Sequence, residues 1–432
     1  MTGIHPRPGD EIDVVVTSAA PFGILVRTRA GVPGLVTGAS AEVGAVVRVC
    51  VVDYDDAESQ FRATLAGRLV PRGSPGAGGR ILDDPAWFGA VMGTGAVATA
   101  MSMHPGRWSP AEDLLDGLAY VLFGLCVVAL MVLSVRAFAL GHAVRSFRVG
   151  MRSPVTGAGY ATIPGAVNVI AVAMVHLWPD LIKAVAGWWT IAALAGTGTA
   201  LGLWLTVEFF VSAFEHPGVD VRDISGVWFI PETVVLLGAL LISGLARGAP
   251  ASTAPGLSVV AFALLGAGAV LFAVTATMFV NRLVLHPHDM NRAAPSMWIM
   301  VSPLSVTSLA LPSVAADTAV LGGRWTGAVL EMAAVLAAML WGFALWWMAA
   351  ACLITRHSGR AALTGTAADW AYVFPLAAML IATLTLGRVW QSAMVEALGA
   401  LFGLGLVVVW TVVAARSAAS LAADRRARAA GS

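Results

Sequence analysis

Residues Trp370–Ala377 read WAYVFPLA, a proline inside an apolar segment too long to be a loop. A proline within a helix removes one backbone hydrogen bond and crowds the carbonyl four residues back, so the chain is expected to bend or open at Phe374. In a bilayer, backbone freed this way survives only where it faces protein or a water-filled cavity. Phe374 is therefore expected at the bend, directed into whatever the bend lines.

The same arrangement recurs along the chain. Ile163-Pro164 lies in YATIPGAV, Ile230-Pro231 in VWFIPETV and Ser302-Pro303 in WIMVSPLSV, and Pro375 completes the set. Each proline follows an aromatic residue by three to five positions: Tyr160, Trp228, Trp298 and Trp370. A fifth member carries glycine, with Trp87 ahead of Gly93 in WFGAVMGTG. The steps between Gly93 and the four prolines are 71, 67, 72 and 72 residues, and each step holds one further long apolar segment. A near-constant period containing two membrane helices reads as five quasi-repeated hairpins, an architecture in which interrupted helices gather round a permeation path.

Composition agrees. Hydrophobic residues make up 58% of the 432 and charged residues 12%, with mean hydropathy +0.81, against about 25% charged in soluble domains. Cys50, Cys126 and Cys352 have no metal-ligand or disulfide spacing, the polar run at 286–289 reads as a solvated loop, and no cofactor is implied. No nucleophile–base pair or phosphate loop suggests an enzyme.

Ten spans are expected near 85–103, 114–136, 157–178, 187–214, 226–246, 257–283, 295–315, 326–353, 370–388 and 392–419, each long enough for a bilayer core of about 30 Å. With the N-terminus inside, sixteen arginines fall on inner segments against five basic residues outside: Arg107, Lys183, Arg247, Arg324 and Arg388. That bias predicts both termini on the cytoplasmic side. The breaks all fall in odd-numbered spans, which are expected to surround one narrow pore, with Gly93, Thr94 and Gly95 letting the first span approach the axis. The even spans are apolar all round, as a lipid-facing layer should be. No lysine or arginine is predicted mid-span, so attraction for an anion is expected from helix ends and from the hydroxyls of Thr94, Thr162, Ser302 and Ser305. Glu232, directly after Pro231, is an intramembrane carboxyl and so a candidate for proton coupling. Ionised and facing a pore it would repel anions; the competing reading is a structural acid bonded to backbone freed by the proline.

Residues 1–80 differ in kind. Short β-rich runs at 11–17, 22–28, 32–37, 45–53 and 61–65, separated by Gly, Pro and Asp turns, suit a small barrel of the oligonucleotide/oligosaccharide-binding (OB) type. The order GDEIDVVV, PFGILVRTRAGVPGLV, VGAVVRVCVVDYD resembles the S1-type RNA-binding motif, in which an aromatic beside a glycine stacks on a base; Phe22 before Gly23 matches it. Leu25 and Thr37 depart from the pattern, and eight arginines balance eight acids over these residues, which argues against RNA as a partner. The expected layout is an OB-like cytoplasmic domain at 1–72, a flexible linker at 73–83, a ten-helix domain at 84–420 and a basic tail at 421–432.

The stretches PAWFGAVMGTGAVA, MRSPVTGAGYATIPGA, HPHDMNRAAPSMWIMVSPLSV and WAYVFPLAAMLIATL, in this order, resemble the tellurite-resistance/dicarboxylate transporter family. That family includes the slow-type anion channels of plant guard cells, bacterial tellurite-resistance permeases and fungal malate and sulfite exporters. The resemblance covers about residues 84–420. It implies a plasma-membrane homotrimer, one pore of five inner helices per subunit, and a phenylalanine closing that pore at the ninth span, a position that Phe374 matches. It leaves open small inorganic anions or C4-dicarboxylates, and channel or proton-coupled exporter. A reading from another class is a membrane-anchored RNA or nucleotide sensor working through the barrel.

Overall fold

The computed structural model describes residues 10–20, 23–28, 31–37, 41, 43–55, 60–65, 84–106, 109–139, 150–151, 153, 156–215, 219, 221–285 and 290–431. The chain divides into two compact units, Met1–Gly79 and Arg80–Ser432.

In the first unit, β1 (Glu11–Ala20), β2 (Gly23–Thr28), β3 (Pro33–Thr37), β4 (Val46–Asp55) and β5 (Gln60–Leu65) close a barrel in the order β1-β2-β3-β5-β4. Only the β3–β5 pair is parallel, which is the OB arrangement. Alternation puts Val14, Val16, Ile24, Val26, Val49 and Val51 inside around Phe61. Gly34 is needed there because a Cβ would overlap the Phe61 ring. Leu25 points outward, 42% exposed. Phe22 lies outside the described residues, as do 73–83 and 286–289.

The second unit is helical: α1 (Phe88–Ser102), α2 (Ser109–Ala139), α3 (Thr162–Leu177), α4 (Val185–Glu215), α5 (Phe229–Gly248), α6 (Ala254–Leu285), α7 (Met290–Ile299), α8 (Val301–Ala316), α9 (Thr326–Ser358), α10 (Val373–Val389) and α11 (Ala393–Gly431). Among the described residues, nine helical stretches are long and apolar enough to cross a membrane. The first helix is shorter, a 15-residue α1 reached through a 3-10 turn at Pro85–Trp87. The last extends to Gly431, so the tail expected from 421 onward continues α11 as helix through Gly431 rather than starting a separate segment.

Two layers result. Helices α1, α3, α5, α8 and α10 pack in a closed ring, α1 on α3, α3 on α5, α5 on α8, α8 on α10 and α10 on α1. The long helices α2, α4, α6, α9 and α11 pack round that ring from outside. Burial separates the layers: 67–89% of the apolar window is buried in the four inner spans at 157–177, 226–248, 294–316 and 367–389, against 17–39% in the five outer ones.

The interruptions differ in kind from the kink expected at each proline. Pro164, Pro231, Pro303 and Pro375 are each the third residue of their α-helix. In the first turn an N–H has no helical acceptor, so the missing proline N–H costs nothing there. Ahead of the helix runs a separate lead-in: 3-10 turns at Gly157–Ala161, Gly226–Trp228 and Ala367–Tyr372, and the short α7 before α8. The break is therefore a junction between a lead-in and a fresh α-helix. The corresponding third residue of α1 is Ala90, and α1 runs unbroken through Gly93, which corrects the first repeat's register.

Candidate functional site

The lead-ins form their own closed ring: Pro85–Trp87 touches Gly157–Ala161, which touches Gly226–Trp228, then α7, then Ala367–Tyr372, then Pro85–Trp87 again. One contact shows how tight this is, since a Cβ on Gly226 would overlap the Ser296 carbonyl oxygen. The five inner α-helices thus start at one level around one axis. They run in the same direction, each outer helix returning the chain, so the positive ends of five helix dipoles gather at that level.

At the second position of these helices stand Gly89, Ile163, Ile230, Ser302 and Phe374. On α10, Met379 faces α8 through Ser305, Val373 faces α1 through Gly93, and Thr383 faces the outer α9 through Trp341. The remaining arc holds Ala371, Phe374, Ala378, Ile381 and Thr385. Those residues keep some exposure, Phe374 8% and Ile381 9%, while Val373, Ala377, Met379, Leu380 and Ala382 keep none. Comparable stripes of residual exposure run along α3 (Ile163, Val167, Ile170, Met174) and α5 (Ile230, Leu237, Leu241, Gly244). The stripes are spaced as one helix face and are apolar but for Thr385, whose hydroxyl donates back to the Ile381 carbonyl. A narrow apolar space along the axis is what these positions can build, with Phe374 the largest side chain at the level of the helix starts.

Other expected residues take different places. A Cβ on Gly93 would come within 3.1 Å of Trp370 and Val373, and one on Gly95 within 2.8 Å of Val169, so both glycines seat α1 against its neighbours in the ring. Thr94 Oγ1 accepts the indole N–H of Trp410 on the outer α11 at 3.2 Å. Thr162 Oγ1 donates to the Gly159 and Pro85 carbonyls, and Ser305 Oγ lies 3.4 Å from Met379 Sδ. Three of the four hydroxyls expected to attract an anion are thus engaged within the protein. Ser302 Oγ has no partner among the described residues.

Glu232 faces away from the axis. Two residues beyond Ile230, it lies about 200° further round α5, toward α6, where Phe229 packs on Phe272 and Phe279. Its side chain is fully buried, with the Thr275 hydroxyl and its own backbone amide acting on the carboxyl at less than full hydrogen-bond geometry.

The match to known proteins decides what this ring belongs to. Residues 84–418, the whole helical unit as far as the last turns of α11, match the family model described as voltage-dependent anion channel, SLAC1. The chain belongs to the SLAC1 voltage-dependent anion channel family. It is similar to an uncharacterized transporter of Methanocaldococcus jannaschii, 23% identical over 74% of this chain and 87% of the relative. It is also similar to a sulfite efflux pump of Arthroderma otae, 24% identical over 76% and 88%. A malic acid transport protein of Schizosaccharomyces pombe is 22% identical over 76% of each chain. A SLAC1-family chain with this apolar helical unit is a multi-pass membrane protein, and the family's members are anion channels and transporters.

Two side-chain systems of this SLAC1-family protein were not legible beforehand. Indole N–H groups bind the layers together: Trp341 to Thr383 at 2.9 Å, Trp298 to Thr355 at 2.9 Å and Trp370 to Ser417 at 3.2 Å, besides Trp410 to Thr94. At the far ends of the inner helices, where dipoles turn negative, arginines take over. Arg388 of α10 donates to the Met103 carbonyl at the end of α1. Arg247 of α5 donates to Ser313 O at 3.1 Å and to the buried Asp317 at 3.3 Å, at the end of α8. Cations there offset the repulsion that the helix ends would otherwise present to an anion.

Proposed function

We propose that small anions, inorganic or C4-dicarboxylate, pass along the axis of the five inner helices and that Phe374 is the gate. The observation that carries this reading is the position of Phe374: on the inward stripe of α10, at the level where five helix starts meet. An apolar ring blocks by excluding water, and a rotamer change suffices to open it. The hydroxyl-poor, cation-free stripe favours weak and fast passage over tight binding, which fits a channel or a low-affinity exporter. The sulfite and malate named for its relatives are the first substrates to test. Release of chloride, nitrate, sulfite and malate from vesicles carrying the protein tests the substrate class; rates equal to those of empty vesicles for all four would refute it.

We assign the transport function to 84–420 and a regulatory or assembly role, without enzymatic activity, to the barrel at 1–72. The working assembly is a homotrimer in the plasma membrane with both termini cytoplasmic, as the arginine distribution argues.

A second reading adds proton coupling through Glu232. The observation favouring it is a carboxyl buried completely within the apolar α5–α6 contact. Such a group is tolerated in an apolar site only while it carries its proton. Facing α6, it would act through the α5–α6 contact rather than by touching the anion.

A further inference from the structure

Among the five residues at the second position of the inner helices, Ser302 alone is polar; Gly89, Ile163, Ile230 and Phe374 offer hydrogen, alkyl groups or a ring. Its side chain is 2% exposed and, among the described residues, its Oγ has no hydrogen-bond partner. Among the described residues the other buried hydroxyls of these inner helices are engaged. Thr233, Thr307 and Thr383 bond back to the carbonyl four residues earlier, and Ser305 and Ser308 reach neighbouring helices. A buried hydroxyl without a partner is a cost to the folded state, so each instance calls for an account.

The direction of the side chain supplies it. On α8, Ser305 faces α10 through Met379, and Ser313 faces α5 through Ser243 and Arg247. At 3.6 residues per turn, Ser302 falls in the arc between those two directions, on the side opposite the outer α9 that Ser308 reaches. Leu309 and Ala316, which share that arc, remain partly exposed. Ser302 therefore points toward the axis from the position, one repeat earlier, that Phe374 holds in α10.

We propose that the Ser302 hydroxyl is the hydrogen-bond donor met by a passing anion at the constriction, and that it sets the preference among anions there. This rests on the reading of the Phe374 level as the constriction. An anion entering an apolar ring must shed water, and a neutral O–H replaces one lost donor without trapping the ion as a fixed cation would. The gain is largest for small, strongly hydrated anions such as chloride and least for weakly hydrated ones such as thiocyanate.

The test measures chloride and thiocyanate efflux from liposomes containing the full chain, as wild type, Ser302→Ala, Ser302→Thr, Phe374→Ala and Phe374→Ala/Ser302→Ala. Removing one donor should lower the chloride-to-thiocyanate ratio by about fivefold in Ser302→Ala, in either background, with Ser302→Thr close to the parent. An unchanged ratio in Ser302→Ala, with flux intact, overturns the proposal. If Phe374→Ala fails to raise flux, the gate is refuted, yet the ratio in Ser302→Ala alone still decides the serine. If no variant conducts either ion above empty liposomes, both readings fall.

Discussion

Trp410 Nε1 of α11 donates to Thr94 Oγ1 of α1 at 3.2 Å, so the last helix of the chain is tied to the first. The bond crosses the one place where the inner ring closes between repeats distant in sequence. Interhelical hydrogen bonds in membranes average about 0.6 kcal/mol, with about 1.7 at most. A double-mutant cycle of Trp410→Phe and Thr94→Val, read by thermal unfolding in detergent, should show a coupling in that range. Strictly additive effects would contradict it.

Asp369 is the anchor of the lead-in to α10. Fully buried, its carboxylate accepts from Thr364 N at 2.9 Å and 3.0 Å, from Gly365 N at 2.6 Å and from Thr364 Oγ1 at 2.9 Å. Asp369→Ala strands two backbone N–H groups and should cost about 1–3 kcal/mol. Asp369→Asn, which keeps one acceptor, should fall between. Equal melting temperatures for all three proteins would remove the anchor.

The location of the prolines gives opposite expectations for two pictures of the break. As a first-turn residue, Pro375 contributes mainly by restricting the unfolded chain, and Pro375→Ala should change stability by no more than about 1 kcal/mol while leaving anion flux near wild type. A proline kinking a continuous helix would instead shape the gate itself, and the alanine variant would conduct differently. Paired flux and unfolding measurements separate the two.

The strand runs of the barrel and the ten helical segments were legible because each is set by local pattern: alternation in β1–β5, and long apolar runs whose ends carry arginine. The nature of the breaks was not. Ala367–Tyr372 runs into α10 with no glycine or other helix-breaking residue between them, so nothing local marks where the α-helix starts, and Pro375 reads as interior when it is third. Gly93 drew attention in the first repeat because glycine is the visible breaker, whereas Ala90 stands at the structural equivalent. Side-chain direction was equally hidden for Thr94 and Glu232, whose neighbours come from α11 and α6. Asp369 did leave a sign: Thr366-Ala-Ala-Asp369 has the spacing of a capping box, although the carboxylate bonds Thr364 and Gly365 instead.

Glu232 separates the two transport readings. Glu232→Gln keeps the shape and removes the titration, and because the side chain faces α6, basal flux without a pH gradient should be within about twofold of wild type, a shift of about 0.4 kcal/mol or less. If the carboxyl carries coupling, stimulation of flux by an acid-side gradient should vanish in the variant. Stimulation of undiminished size would make Glu232 structural.

Phe374→Ala bears on the whole scheme at once. In liposomes under a fixed anion gradient and no pH gradient, removing the ring should open the apolar space at the helix starts and raise chloride efflux by at least about tenfold, equivalent to a barrier lower by about 1.4 kcal/mol. Ile381→Ala, one level along the same stripe of α10, should raise it far less. Efflux from Phe374→Ala indistinguishable from wild type, with the protein folded, would contradict a gate at Phe374.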